Sequence, residues 1–221
     1  MAKQPEHLEV GNTLHELFDE YNKSHAISDI VNILSKEPVY AKNIAGFHKI
    51  LKHYNVDRAV ESESKYFDET LQLTGYIDAI YELNDETIDT IKHELREEKY
   101  KFPTGKLAVI DYKTGKYHNY LFRKYIKELN IYVMLYEACT EKKIDYIGMF
   151  FTSEPENSFI VPVKKRLLNN DAKDFEKQKQ NVLEHKFQRK HTKLCAYCDY
   201  NAICDDYIDE YVTEDKKKIY S

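Results

Sequence analysis

Two spacings of apolar residues take turns along the chain. Leu14, Leu17, Phe18 and Tyr21 recur every three or four positions, which predicts an amphipathic helix. Asn12 or Thr13 is its expected cap, with Glu16 three residues beyond Thr13 completing a capping box. A second helix is expected over 28–36, ended by Pro38, and a third over 41–54. The spacing then changes to two. Residues 60–67 alternate loosely and are mostly polar, as in an outer strand, and Asp68-Glu69 turns the chain into a second strand over 71–83. A charged helical insertion is expected over 87–99, closed by Pro103-Thr104-Gly105. After it, Leu107, Val109 and Ile110 open a strand that returns antiparallel to the second. The longest helical pattern covers 118–142, where Tyr125, Leu129, Tyr132, Leu135, Tyr136 and Cys139 form a wide apolar face suited to lying across a sheet. Strands over 144–152 and 159–163 and a polar helix over 171–190 complete the series.

The candidate chemistry sits where the strand pattern is broken by charge. Leu107, Val109 and Ile110 run into Asp111-Tyr112-Lys113 and a Thr-Gly turn. Residues two apart on a strand share a face, so Asp111 and Lys113 point one way and Tyr112 the other. Asp78 interrupts the apolar run Tyr76-Ile77-Asp78-Ala79-Ile80, a costly place for a carboxylate unless it is paired or holds a metal. Two Asp and one Lys on adjacent strands suit a divalent-cation phosphodiesterase. The carboxylates would hold a hard cation and the lysine would place or polarise water. His15 lies in the first turn of the first helix. Glu128 and Tyr132, four apart, stack on one side of the long helix. The plainer alternative makes Tyr132 core and Glu128 solvated.

Composition narrows the setting. The 221 residues are 42% hydrophobic and carry nineteen Tyr and no Trp, as one globular domain with appendages would. No apolar run reaches membrane-spanning length and the N-terminus does not read as a signal peptide, so no membrane partner and a cytoplasmic location are expected. The net charge of −5 hides an asymmetry: residues 164–193 hold ten Lys or Arg against four Asp or Glu, a local net of +6. Such a segment is either a phosphate-binding face or a solvated helix. Three of the four cysteines, Cys195, Cys198 and Cys204, follow a C-x2-C-x5-C spacing that favours metal ligation over disulfides. Cys139 lies on the expected core face of the long helix. His191 is therefore the nearer candidate for a fourth ligand, and would make a zinc site.

With these residues laid out, the chain resembles the RecB-like branch of the PD-(D/E)xK nucleases over residues 11–204. Gly11-x3-His15 is similar to that family's first motif, Gly75-x2-Asp78 to its second, and Ile110-Asp111-Tyr112-Lys113 to its third. The resemblance implies that His15, Asp78, Asp111 and the Tyr112 backbone carbonyl hold Mg²⁺ or Mn²⁺, with Lys113 the catalytic lysine. The family's helical motif is usually Gln-x3-Tyr; Glu128 and Tyr132 stand there in this chain. The C-terminal cysteines match the family's iron–sulfur lobe, but no cysteine precedes Cys139 to supply its usual N-terminal ligand.

The implied fold is α/β, a restriction-endonuclease-like core with a mixed central sheet flanked by helices. Residues 1–190 would form the nuclease core, and 191–221 a cysteine lobe with an acidic tail. The implied activity is metal-dependent DNA hydrolysis, as an exonuclease on single-stranded DNA or DNA ends in recombination, replication or repair. Lys164, Lys165, Arg166, Arg189 and Lys190 would track the DNA backbone. Protein partners from replication, recombination or CRISPR systems are implied, self-association is left open, and a viral member would work in its host's cytoplasm. Two alternatives stand beside this: a catalytically retired DNA-binding or decoy subunit, and a sequence-specific restriction-type endonuclease.

Overall fold

Asn22 fixes the first helix to the sheet. The helix, α1 (Glu6–Lys23), presents Leu14, Leu17 and Phe18 to the core. At its end the buried Asn22 donates from Nδ2 to the Tyr112 hydroxyl at 3.2 Å and accepts from the Ala59 N–H at 3.0 Å. The Tyr112 hydroxyl also meets that of Tyr81 at 2.9 Å, so one amide ties the helix to two strands. The computed structural model describes residues 6–23, 38–96, 101–186, 195 and 198. The helix expected over 28–36 lies outside them. The capping box does not form: α1 begins about two turns earlier, and Thr13 Oγ1 donates to the Glu9 carbonyl inside it. A hydroxyl in a helix interior turns to the carbonyl four residues back, because the N–H groups it would cap are already bonded.

The next elements are α2 (Pro38–Tyr54), β1 (Glu61–Asp68) and β2 (Leu73–Glu82). Pro38 opens α2, which suits the first helical position because proline has no N–H to lose there. Helix α3 (Asp85–Leu95) is capped by Asn84, whose side chain accepts from the Thr87 N–H. Strand β3 (Leu107–Lys113), helix α4 (Phe122–Thr140) behind a short 3₁₀ turn, β4 (Tyr146–Phe151), β5 (Phe159–Pro162) and α5 (Lys165–Leu183) follow. The polar helix expected from residue 171 thus starts six residues earlier.

The five strands are ordered β1-β2-β3-β4-β5. Neighbours are antiparallel except β3 and β4, which are parallel and joined by the α4 crossover. Helices cover both faces. On one, Phe18, Phe47 and Tyr54 from α1 and α2 pack on Tyr81, Ile110, Tyr112 and Phe150. On the other, Leu129, Val133 and Tyr136 of α4 pack on Ile80, Val109, Ile147 and Phe151. Strand β4 is buried along its whole length, as its unbroken apolar run requires of a central strand. Cys139, expected in that core, is exposed on α4 and donates from Sγ to the Phe67 carbonyl. It falls just past the stripe set by Leu129, Val133 and Tyr136.

Two close contacts set helix positions. A Cβ on Gly46 of α2 would lie 1.9 Å from the Thr152 carbonyl oxygen, so only glycine permits this approach to the end of β4. In the first half of α5, the buried Asp171 receives a two-pronged Arg123 guanidinium and, at 2.6 Å, the Asn130 amide, both from α4. These hydrogen bonds outweigh burial and hold the Asp171 carboxyl below the usual range. The chain divides into two compact units, Met1–Lys173 and Asp174–Ser221. No helix among the described residues is long and apolar enough to cross a membrane.

Candidate active site

The sheet comes apart where the acids are. Strands β1 and β2 pair with constant register on either side of Glu63 and Asp78, yet these two, opposite by count, do not pair. Glu63 has φ 42°, a left-handed backbone that costs a non-glycine residue about 1–2 kcal/mol. Side-chain alternation slips at the same point on both strands. Ser62 reaches Asp19 on α1 and Glu63 reaches His15 on α1, so consecutive residues face the same helix. On β2, Ile77 and Ile80 belong to the α4 side while Ala79 and Tyr81 belong to the α1 side, and Asp78 meets His15 of α1. One slip on each strand keeps the register intact.

Strands β2 and β3 also stop pairing here. Their ladder ends at Ala79 and Ile110, while β3 and β4 stay paired through Lys113. In place of a backbone partner, the Tyr112 N–H donates to Asp78 Oδ2 at 2.7 Å. The Asp78 side chain thus satisfies a backbone donor that the splayed strands leave behind.

His15, Glu63 and Asp78 each offer one ligand atom, all within 4.8 Å of one another. His15 Nδ1 is 3.2 Å from Glu63 Oε1 and 3.6 Å from Asp78 Oδ2. Burial opposes charge on the imidazole, but the neighbouring Asp78 and Glu63 carboxylates together push its pKa up to about 10. Glu63 was not among the residues expected from the sequence. A hairpin closed over 69–72 places residue 63 opposite residue 78, and that count was the signal available.

Asp111 and Lys113 point to the α4 side. Lys113 Nζ lies 2.9 Å from Asp111 Oδ2 and 3.2 Å from Glu128 Oε1. The ammonium is near Asp111 but poorly aligned, for Asp111 Oδ2 is buried without a hydrogen bond. Burial first, and then the Asp78 charge, push the Asp111 carboxyl up to about 7. Tyr132 sits half-buried one turn beyond Glu128, its hydroxyl held well above the usual range by burial and by the charges of Asp111, Glu128 and Asp78. Tyr112 is buried with its ring edge-on to Phe18 and Phe47. His15, Asp78, Asp111, Tyr112, Lys113, Glu128 and Tyr132 therefore form one connected constellation.

It adjoins a cleft of about 1100 Å³ lined in part by Gly11, His15, Glu63, Tyr76 and Gly115. Lys164, Lys165 and Arg166 are exposed around the start of α5 and do not line this cleft. Arg189, Lys190, His191 and Cys204 lie outside the described residues. Cys195 is half-buried and Cys198 exposed, joined by a Cys198 N–H to Cys195 carbonyl bond of 3.2 Å.

The donor set suits a hard divalent cation: carboxylate oxygens and one imidazole, with a buried carboxylate oxygen on Asp111 lacking a hydrogen bond. A family model described as the PD-(D/E)XK nuclease superfamily matches residues 2–205. Among solved structures, the chain is similar to a protein named "putative exonuclease" from Eubacterium rectale. The match has a TM-score of 0.51 and 14% sequence identity over 97% of this chain and 77% of that one. At that identity the likeness concerns the fold. No curated protein matches the chain in sequence.

Proposed function

Because the chain belongs to the PD-(D/E)XK nuclease superfamily, we propose that it is a divalent-cation-dependent deoxyribonuclease of the RecB-like branch, acting as an exonuclease on single-stranded DNA or DNA ends. The observation that carries this reading is the convergence of His15, Glu63 and Asp78 within 4.8 Å, linked through the Tyr112 N–H to the strand bearing Asp111 and Lys113.

In this reading His15, Asp78 and Asp111 would hold Mg²⁺ or Mn²⁺, with Glu63 and the Tyr112 carbonyl as further ligands. Such a cation neutralises the scissile phosphate and lowers the pKa of a bound water. Lys113 supplies an ammonium beside the Asp111 carboxylate, where it orients water or stabilises charge developing on the phosphorane oxygens. Glu128 holds that ammonium from its other side and so fixes its direction. Tyr132, half-buried one turn beyond Glu128, would touch the substrate strand. Lys164, Lys165, Arg166, Arg189 and Lys190 would steer DNA from farther away, through a salt-sensitive attraction. The Cys195 and Cys198 pair, with Cys204 and His191, would hold zinc or an iron–sulfur cluster in the C-terminal segment. The protein works in the cytoplasm, with replication, recombination or CRISPR-related proteins as its partners.

The test is cation-dependent loss of end-labelled single-stranded and duplex DNA, compared in Mg²⁺, Mn²⁺ and EDTA. Asp111→Asn and Lys113→Ala are each expected to abolish cleavage while DNA binding persists. Cleavage retained by both variants would reject the assignment. Binding without any cleavage by the wild-type chain would favour a retired, DNA-holding subunit instead.

A further inference from the structure

Beyond the slip at Glu63 and Asp78, the β1–β2 hairpin alternates normally, and its two faces differ sharply. The inner face rests on α4: the Tyr66 ring lies 5.4 Å from Tyr136, and a Cβ on Gly75 would lie 3.2 Å from Leu135. The outer face carries Lys65 and Phe67 on β1 and Thr74 and Tyr76 on β2, all four exposed. Lys65 and Tyr76 are direct cross-strand partners, and the Lys65 ammonium sits 5.6 Å from the centre of the Tyr76 ring. Phe67 is one outward position farther along, about 6.8 Å away on an ideal strand. Tyr76 and Phe67 are 56% and 60% exposed. Two bare aromatic rings on one rigid face, with a cation at one of them, form a row that begins at Glu63 and Asp78. Tyr76 lines the same cleft as His15 and Glu63.

The cleft chemistry decides what this row would hold. Among the described residues lining it, Glu16, Asp19 and Glu63 are acidic, and none is Lys or Arg. Such a wall offers a phosphate backbone little attraction, so what binds along it must be held by other groups, and a duplex keeps its bases inside the stack. An unpaired strand offers its bases, whose faces stack on aromatic rings whatever the sequence.

We propose that Tyr76, Phe67 and Lys65 form a stacking track for unpaired nucleotides, which delivers a single strand to the His15–Glu63–Asp78 centre. The track deepens the nuclease reading and rests on it for the direction of travel. Tyr76 stacks the base nearest the centre, Lys65 meets the adjoining phosphate, and Phe67 stacks the next base outward.

The experiment measures binding by fluorescence anisotropy in EDTA. The probes are an oligothymidylate of about 12 nucleotides, an abasic strand of the same length and a blunt duplex. Cleavage is measured separately in Mn²⁺. The wild type is expected to prefer oligothymidylate over both other probes. Tyr76→Ala is expected to weaken oligothymidylate binding by about fivefold or more, the lower end for loss of one stacked base, and to leave the abasic probe unchanged. Tyr76→Phe should restore binding, and Phe67→Ala should give a loss of the same kind; both side chains are exposed, so the fold is spared. Equal oligothymidylate affinity for the wild type and Tyr76→Ala, or an equal loss on the abasic probe, would overturn the track. If cleavage persists with that result, the nuclease reading stands and only the track falls. If no cleavage occurs but the Tyr76-dependent preference is present, the track stands and the nuclease reading falls.

Discussion

Replacing Glu63 by Gln removes one carboxylate from the proposed cation set and changes almost nothing else. Gln keeps the size of the side chain, and the φ of 42° is no worse for it than for Glu. The magnitude follows from linkage. A cation present at a hundred times its dissociation constant stabilises the folded chain by about 2.7 kcal/mol. For a chain of 221 residues, each kcal/mol moves the melting temperature by about 2–4 °C, so the wild type should gain about 5–11 °C. Loss of a residue that merely supports a ligand costs about 10–100-fold in metal affinity. Loss of a carboxylate within 4.8 Å of both His15 and Asp78 should reach at least the upper figure. At the same Mn²⁺ concentration the variant is then half-saturated, worth about 0.4 kcal/mol and about 1–2 °C. The assay is a thermal melt of both proteins with and without Mn²⁺, the concentration set from a calorimetric titration of the wild type. A Glu63→Gln protein that gains as much as the wild type would refute the reasoning, as would a wild type with no gain at all.

Three further outcomes follow from the packing. Gly46→Ala should destabilise by about 2–3 kcal/mol or more, because its Cβ lands 1.9 Å from the Thr152 carbonyl oxygen, where backbone must move; chemical denaturation reads this directly. Asn22→Ala leaves the Ala59 N–H and the Tyr112 hydroxyl short of a partner and should cost about 1–3 kcal/mol. It should also weaken Mn²⁺ binding, since His15 lies two turns along the same face of α1, and a melt with unchanged Mn²⁺ response would contradict that coupling. Asp171→Asn should cost about 2–3 kcal/mol at neutral pH, less than a fully buried pair because Arg123 is half exposed and can rehydrate. The Asp171 carboxyl is depressed in the folded state, so its contribution is present above about pH 4, the unfolded carboxylate range, and is lost as pH falls through the folded value. The stability gap between wild type and variant should therefore narrow on acidification, and a gap constant from pH 6 to about 2 would contradict the assignment.

Most of the sheet was legible because its strands are written in apolar runs bounded by turns. The antiparallel return of β3, the outer position of β1 and the long helix on the sheet all followed from period and length. The sequence also pointed to His15, Asp78, Asp111 and Lys113, which the fold brings into one constellation. It missed Glu63 for a physical reason: in the polar run Glu61-Ser62-Glu63-Ser64 no side chain stands out, and only the hairpin register picks one. Strict alternation also puts Asp78 on the face of Ile80, whereas the slip turns it toward α1. Cys139 escapes the core because the buried stripe of Leu129, Val133 and Tyr136 is one position narrower than the apolar pattern. Thr13 does not cap because a capping box is a local pattern, and the helix has already begun upstream.

The left-handed turn of Glu63 has a second effect, since β1 is the border strand among the described residues, and a border edge can template another chain. A strand bent out of pleat at its third residue cannot zip flat against a neighbour, and Glu61, Glu63, Lys65 and Asp68 add charge along it. The distortion that brings a carboxylate to the imidazole therefore also makes the border strand a poor template, and relaxing it would undo both at once.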